Sequence, residues 1–120
     1  MIWIKAASFL MFLGVALGAF GAHALKDKVE PYLLEVYKTG VLYHMLHALG
    51  LFAVAWMSSL SQDPKIQWAG ILLIAGIIFF SGSLYVMTLT GIRVFGAVTP
   101  IGGLCFLAAW MLIFASRIKF

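Results

Sequence analysis

Four stretches of this chain, Ala6–Leu25, Thr39–Gln62, Ile66–Ile92 and Val94–Ser116, contain no Asp, Glu, Lys or Arg. Each is long enough for an α-helix to cross a hydrocarbon core, which takes about 20 apolar residues. Lipid offers no hydrogen bonds, so a spanning backbone must satisfy its own polar groups, and a helix does so within one segment. A soluble domain of 120 residues could not hide such surface, because 64% of the chain is hydrophobic and only 10% is charged. The pattern predicts an all-α membrane protein. It is a single domain, residues 1–120, built as an up-down bundle of four transmembrane helices.

The charges fall at the junctions. Lys5 precedes the first stretch, Lys26 to Lys38 follow it, Asp63 and Lys65 come next, then Arg93, and finally Arg117 and Lys119. Asp63-Pro64 starts a turn and Thr90-Gly91 closes the third span. Trp3, Trp56, Trp68, Trp110 and Tyr32 lie near expected span ends, where amphipathic rings favour the headgroup region. Lys5, the apolar run after it and Ala22-His23-Ala24 imitate a cleavable leader, which we read as a retained first helix.

Between the first two spans, Val29, Tyr32, Leu33, Val36 and Tyr37 share one helical face, with Glu30, Glu35 and Lys38 elsewhere on the wheel. Pro31 suits a first helical position and Thr39-Gly40 can mark a bend. Glu30–Lys38 therefore reads as a short amphipathic helix lying on the membrane surface. The alternative is an extension of the second span into water. Lys and Arg tie at four on each side of the membrane, and the terminal amine with Arg117 and Lys119 tips the expectation to termini inside.

The net charge of +4 is scattered, with no basic run of the kind that grips nucleic acid. Cys105 is the only cysteine, so no intramolecular disulfide can form, and in an apolar run it behaves as a small hydrophobe.

Depth is more informative. Alternate spans run in opposite directions, so the end of the first, start of the second, end of the third and start of the fourth share a leaflet. His23, His44, His47, Ser81, Ser83, Tyr85, Thr88 and Thr99 all fall there. The other half, including Phe9–Leu13, Leu49–Ala55, Ile71–Ile74 and Cys105–Phe114, is nearly all apolar. Unpaired polar groups are costly in hydrocarbon, so an inward-facing cluster of His23, His47, Ser81, Ser83 and Tyr85 is expected. Gly14, Gly18 and Ala22 form a small-xxx-small ridge on the first span. Such a cluster serves helix assembly or a bound ligand.

Other chemistries fit less well. No carboxylate or cysteine lies at the depth of the histidines to complete a zinc site. No CxxCH motif supports haem, and no span holds the Asp or Glu of a usual proton relay. No nucleophile–base set or phosphate loop is present. We therefore expect no catalytic residues, metal or cofactor, and more readily a non-enzyme.

Four strings occur in order: Leu17-Gly18-Ala19-Phe20-Gly21-Ala22-His23, His47-Ala48-Leu49, Phe80-Ser81-Gly82-Ser83-Leu84-Tyr85 and Thr99-Pro100-Ile101-Gly102-Gly103. Together they resemble the signature of the YwdK/YgdD-like family of small multi-spanning membrane proteins, over essentially the whole chain. His23 and His47 match it, whereas His44 stands where bacterial relatives often carry Gln. The resemblance implies this topology and a bacterial inner-membrane location, and it supplies no activity. The expected role is interaction or assembly with a membrane-protein partner or second copies of the chain, surrounded by membrane lipids. The alternative is binding of a lipid-like or quinone-like small molecule in the polar half of the bundle.

Overall fold

A computed structural model describes residues Ile2–Ile118, and the closing charge Lys119 lies outside them. Among the described residues the fold is all helix, with four spans long and apolar enough to cross a membrane. The first is α1 (Ile2–Phe20), continued by a π turn over Gly21–Leu25. The second is α2 (Pro31–Leu60). The third joins α3 (Pro64–Gly76) to α4 (Gly82–Thr90) through a π turn at Ile77–Ser81. The fourth is a 3-10 turn, Arg93–Ala97, and α5 (Thr99–Ala115).

The breaks follow local chemistry. The Asp63 side chain accepts from the Lys65 amide while Pro64 takes the first helical position, where no N–H is needed. Gly91, at φ 72°, is the left-handed residue that ends the third span, and its N–H returns to the Met87 carbonyl. Both turns expected from sequence are present.

The amphipathic segment after the first span is helical from Pro31, but it is not a separate helix. It forms the opening turns of α2, whose 30 residues make about 45 Å of helix, longer than the hydrocarbon is thick. The helix is unbroken at Thr39-Gly40. The Thr39 hydroxyl donates to the Glu35 carbonyl within the helix, and Gly40 serves the approach of Tyr85 and Leu84. The apolar face covers protein: Leu33 packs with Leu84 and Met87, and the Thr88 hydroxyl reaches the Leu33 carbonyl.

The second and third spans form the centre, each 44% buried over its most apolar stretch, against 11% and 17% for the first and fourth. The first packs chiefly on the second and the fourth chiefly on the third. Ala48, Leu51, Val54, Ile66, Leu73, Phe106 and Ala109 make the core of the apolar half. Large exposed side chains such as Phe9, Phe12, Leu104 and Phe114 point outward to lipid. Lipid tails are as apolar as the core, so close packing holds the helices together. Glycine notches supply it: the Trp3 ring sits over Gly70 and the Phe106 ring over Gly76, while the Phe80 backbone lies directly against Gly102.

At the apolar end of the bundle, Asp63 clasps the end of the fourth span. Its carboxylate accepts the Arg117 amide at 2.8 Å, and Ser61 donates to the Arg117 carbonyl at 2.9 Å. The Lys65 and Arg117 amides hold the Asp63 pKa below the usual value. Its contribution is therefore complete above the ordinary Asp value of about 4 and is lost as pH falls through the lower folded value. Thermal unfolding in detergent should show a fall in midpoint on acidification below about pH 4, and Asp63→Asn should flatten it. An unchanged pH profile in the variant would remove this role.

Candidate functional site

His44, His47, Ser81, Ser83 and Tyr85 belong to several separate hydrogen-bonded sets. His44 joins three spans. The Leu10 carbonyl lies 2.7 Å from its Nε2, and a carbonyl can only accept, so the neutral ring carries its proton there. Nδ1 is then the acceptor for the Tyr85 hydroxyl at 2.8 Å. Gly14 admits the ring to the first span: a Cβ there would lie 3.4 Å from His44 Cδ2 and 2.8 Å from Met45 Cγ. Beside this set, the Tyr37 hydroxyl donates to the Leu17 carbonyl, and the Tyr37 and Tyr85 rings lie 5.4 Å apart.

His47 faces the fourth span instead. The Trp110 indole N–H donates to its Nε2 at 3.0 Å, so Nδ1 carries the proton and donates to the Tyr43 carbonyl at 2.7 Å. The ring stacks on Phe106 at a centroid distance of 3.6 Å. Ser81, fully buried, donates to the Gly40 carbonyl at 2.7 Å. Ser83 donates to the Phe80 carbonyl, leaving the Thr99 hydroxyl to donate to it at 2.7 Å.

The expected cluster of His23, His47, Ser81, Ser83 and Tyr85 is thus not one cluster. The hydrogen bonds of His47, Ser81, Ser83 and Tyr85 run to other residues rather than to one another. His23 is exposed in the π turn that ends the first span, where the ring can reach the headgroup region and needs no protein partner. His44, which the resemblance did not carry, is buried and joins Tyr85. Trp110, expected near a span end, is a partner of His47 within the fourth span, and Trp3 donates to Gln67. Gly14 of the small-residue ridge is buried under Met45 and His44 of α2, while Gly18, against Val41, is half-buried. A signal for His44 existed in its apolar setting opposite Gly14, but nothing in sequence distinguishes its partner from that of His47.

No buried side-chain nitrogen or oxygen among the described residues lacks a hydrogen bond. The polar layer is closed on itself, so open space must be sought in the grooves. One groove of about 600 Å³ lies between the second and fourth spans, lined by Tyr43, His47, Phe80, Phe106 and Trp110. Another, of about 390 Å³, lies between the first and second spans. Gly18, Gly21 and Ala22 form one wall and Val41, Leu42, Met45, Leu46 and Leu49 the other. Gly21 is small because the Tyr37 ring crosses it, with ring carbon 2.3 Å from where a Cβ would stand.

Residues 17–103 match the family described as Protein of unknown function (DUF423). The chain is 49% identical over 109 residues to the UPF0382 membrane protein YwdK of Bacillus subtilis (strain 168), covering 90% of this chain and 89% of that one. It is 42% identical over 119 residues to UPF0382 membrane protein SH2409 of Staphylococcus haemolyticus, covering 99% and 97%. UPF0382 membrane protein SAB0533 of Staphylococcus aureus is 43% identical over 108 residues, covering 90% and 88%. No solved structure matches the chain.

Proposed function

We infer that this chain, which belongs to the DUF423 family of membrane proteins, is a non-enzymatic bundle that holds a lipid-like amphiphile along its first two spans. The groove between those spans carries this reading. Its wall on α2 repeats at Lys38, Val41, Leu42, Met45, Leu46 and Leu49, one face of a helix advancing about 16 Å. That is a long, narrow, apolar slot opening sideways to lipid, with a volume in the range of ligand sites. It suits an acyl chain. His44 and His47, each with both ring nitrogens hydrogen-bonded to other residues, supply packing and leave no free ring nitrogen for proton transfer or metal binding.

A reading of the bundle as an assembly module, with a protein partner or a second copy, draws on the small-residue ridge of the first span. Gly14 of that ridge is covered by α2 and Gly18 borders the groove, so the groove is the better-supported feature. A bacterial inner membrane with both termini inside is the setting we propose. It accords with the resemblance and the closing charges.

Native mass spectrometry of protein released gently from membranes tests the reading. A stoichiometric lipid-like adduct should survive on the wild type. Ala22→Phe and Leu46→Trp, each replacing an exposed side chain on the groove wall, should remove it without lowering the thermal midpoint. Absence of any adduct on the wild type, or retention unchanged in both folded variants, would end the proposal.

A further inference from the structure

At its headgroup end the apolar groove runs into a second hollow of about 280 Å³, lined by Gly21, Ala22, Lys26, Leu34 and Lys38. The two share Gly21, Ala22 and Lys38, so they form one continuous site with an apolar stem and a cationic mouth. We propose that this mouth receives the phosphate of an acidic phospholipid whose acyl chain occupies the stem; the proposal rests on the groove being a lipid site.

The placement follows from the fold. The π turn at Gly21–Leu25 ends the first span and delivers Lys26 beside the groove. Lys38 comes from α2 because the helix continues unbroken through Thr39-Gly40. A bent interfacial helix would not put Lys38 on the face that continues as Val41, Leu42 and Met45. Two ammonium groups from different spans thus flank one hollow at the level where a lipid headgroup sits, and each can donate to phosphate oxygens.

The acidic residues nearby do not close the mouth. Glu35 pairs with Lys38 at 3.4 Å, but both side chains are well exposed, at 62% and 72%, and such a surface pair is weak. Glu30 is turned to Arg93 at 3.6 Å, and Arg93 lies over the Tyr32 ring at 4.8 Å. Asp27 lies between Lys26 and Lys28 in the connection. A zwitterionic lipid would bring its own cation to the lysine pair, whereas an acidic one brings only negative charge. Charge complementarity therefore selects an acidic phospholipid.

The experiment is a competition. The protein is placed in nanodiscs of equal parts chain-matched phosphatidylglycerol and phosphatidylcholine, and the lipid retained after release is read by native mass spectrometry. Phosphatidylglycerol should be retained about tenfold or more over phosphatidylcholine, the scale of two lysine–phosphate attractions. In the Lys26→Gln/Lys38→Gln double variant, with an unchanged thermal midpoint, that preference should vanish while total lipid retention persists. Equal retention of the two lipids by the wild type, or a preference that survives in the double variant, would overturn the headgroup assignment and leave the acyl groove standing. Displacement of the bound lipid by inorganic phosphate would overturn a lipid as the source of the anion. Failure to retain either lipid would overturn the groove reading as well.

Discussion

Gly102→Ala should sharply destabilise the bundle, while Gly103→Ala, one residue away, should leave it close to wild type. A Cβ at Gly102 would stand 2.2 Å from the Phe80 backbone nitrogen and 2.7 Å from its Cα. Backbone cannot swing aside as a side chain can, so the third and fourth spans would have to separate. Overpacking of a tight core commonly costs about 1–3 kcal/mol, and a clash with backbone belongs at or beyond the upper end. At Gly103 the nearest atom is 3.9 Å away, in ordinary van der Waals contact. Thermal unfolding of both variants in detergent, followed by circular dichroism, makes the comparison. Equal midpoints would show that the two spans do not meet at Phe80 as described.

His44→Ala should come next in severity. The ring is 2% exposed and bonds the first and third spans to the second through Leu10 and Tyr85. Removing it opens a cavity and leaves the Tyr85 hydroxyl unpaired, and large-to-small core changes cost about 2–5 kcal/mol. His44→Gln should be far milder, because an amide keeps both a donor and an acceptor. A single hydrogen bond in a membrane averages only about 0.6 kcal/mol, so most of the difference between Ala and Gln is lost packing. Thermal midpoints ordered wild type, Gln, Ala would bear out this account. A Gln variant as unstable as Ala would mean that the imidazole does something beyond packing and pairing.

The number of spans and their class were legible because they depend on one-dimensional quantities. Runs of uncharged residues set where a chain can cross lipid, and antiparallel order turns position along the chain into depth. The turns at Asp63-Pro64 and Thr90-Gly91 were legible for the same reason, since each is made by adjacent residues. Azimuth was not. Which face of α2 meets which neighbour depends on helix rotation, and the two π turns shift that rotation without a recognisable sequence signal. His44 and His47 are three residues apart, yet one joins Tyr85 and the other Trp110. Sequence also left open whether Gly40 bends the chain or admits a neighbour; only the third span packed against it decided that, by placing Leu84 and Tyr85 where a side chain would stand. Lys26 and Lys38 came to one hollow in the same way, because α2 continues unbroken to carry Lys38 beside the end of the first span. Depth is set by how each segment partitions into lipid, and this the sequence alone determined. Partnership is set by close packing between segments distant in the chain, and only the tertiary structure decided it.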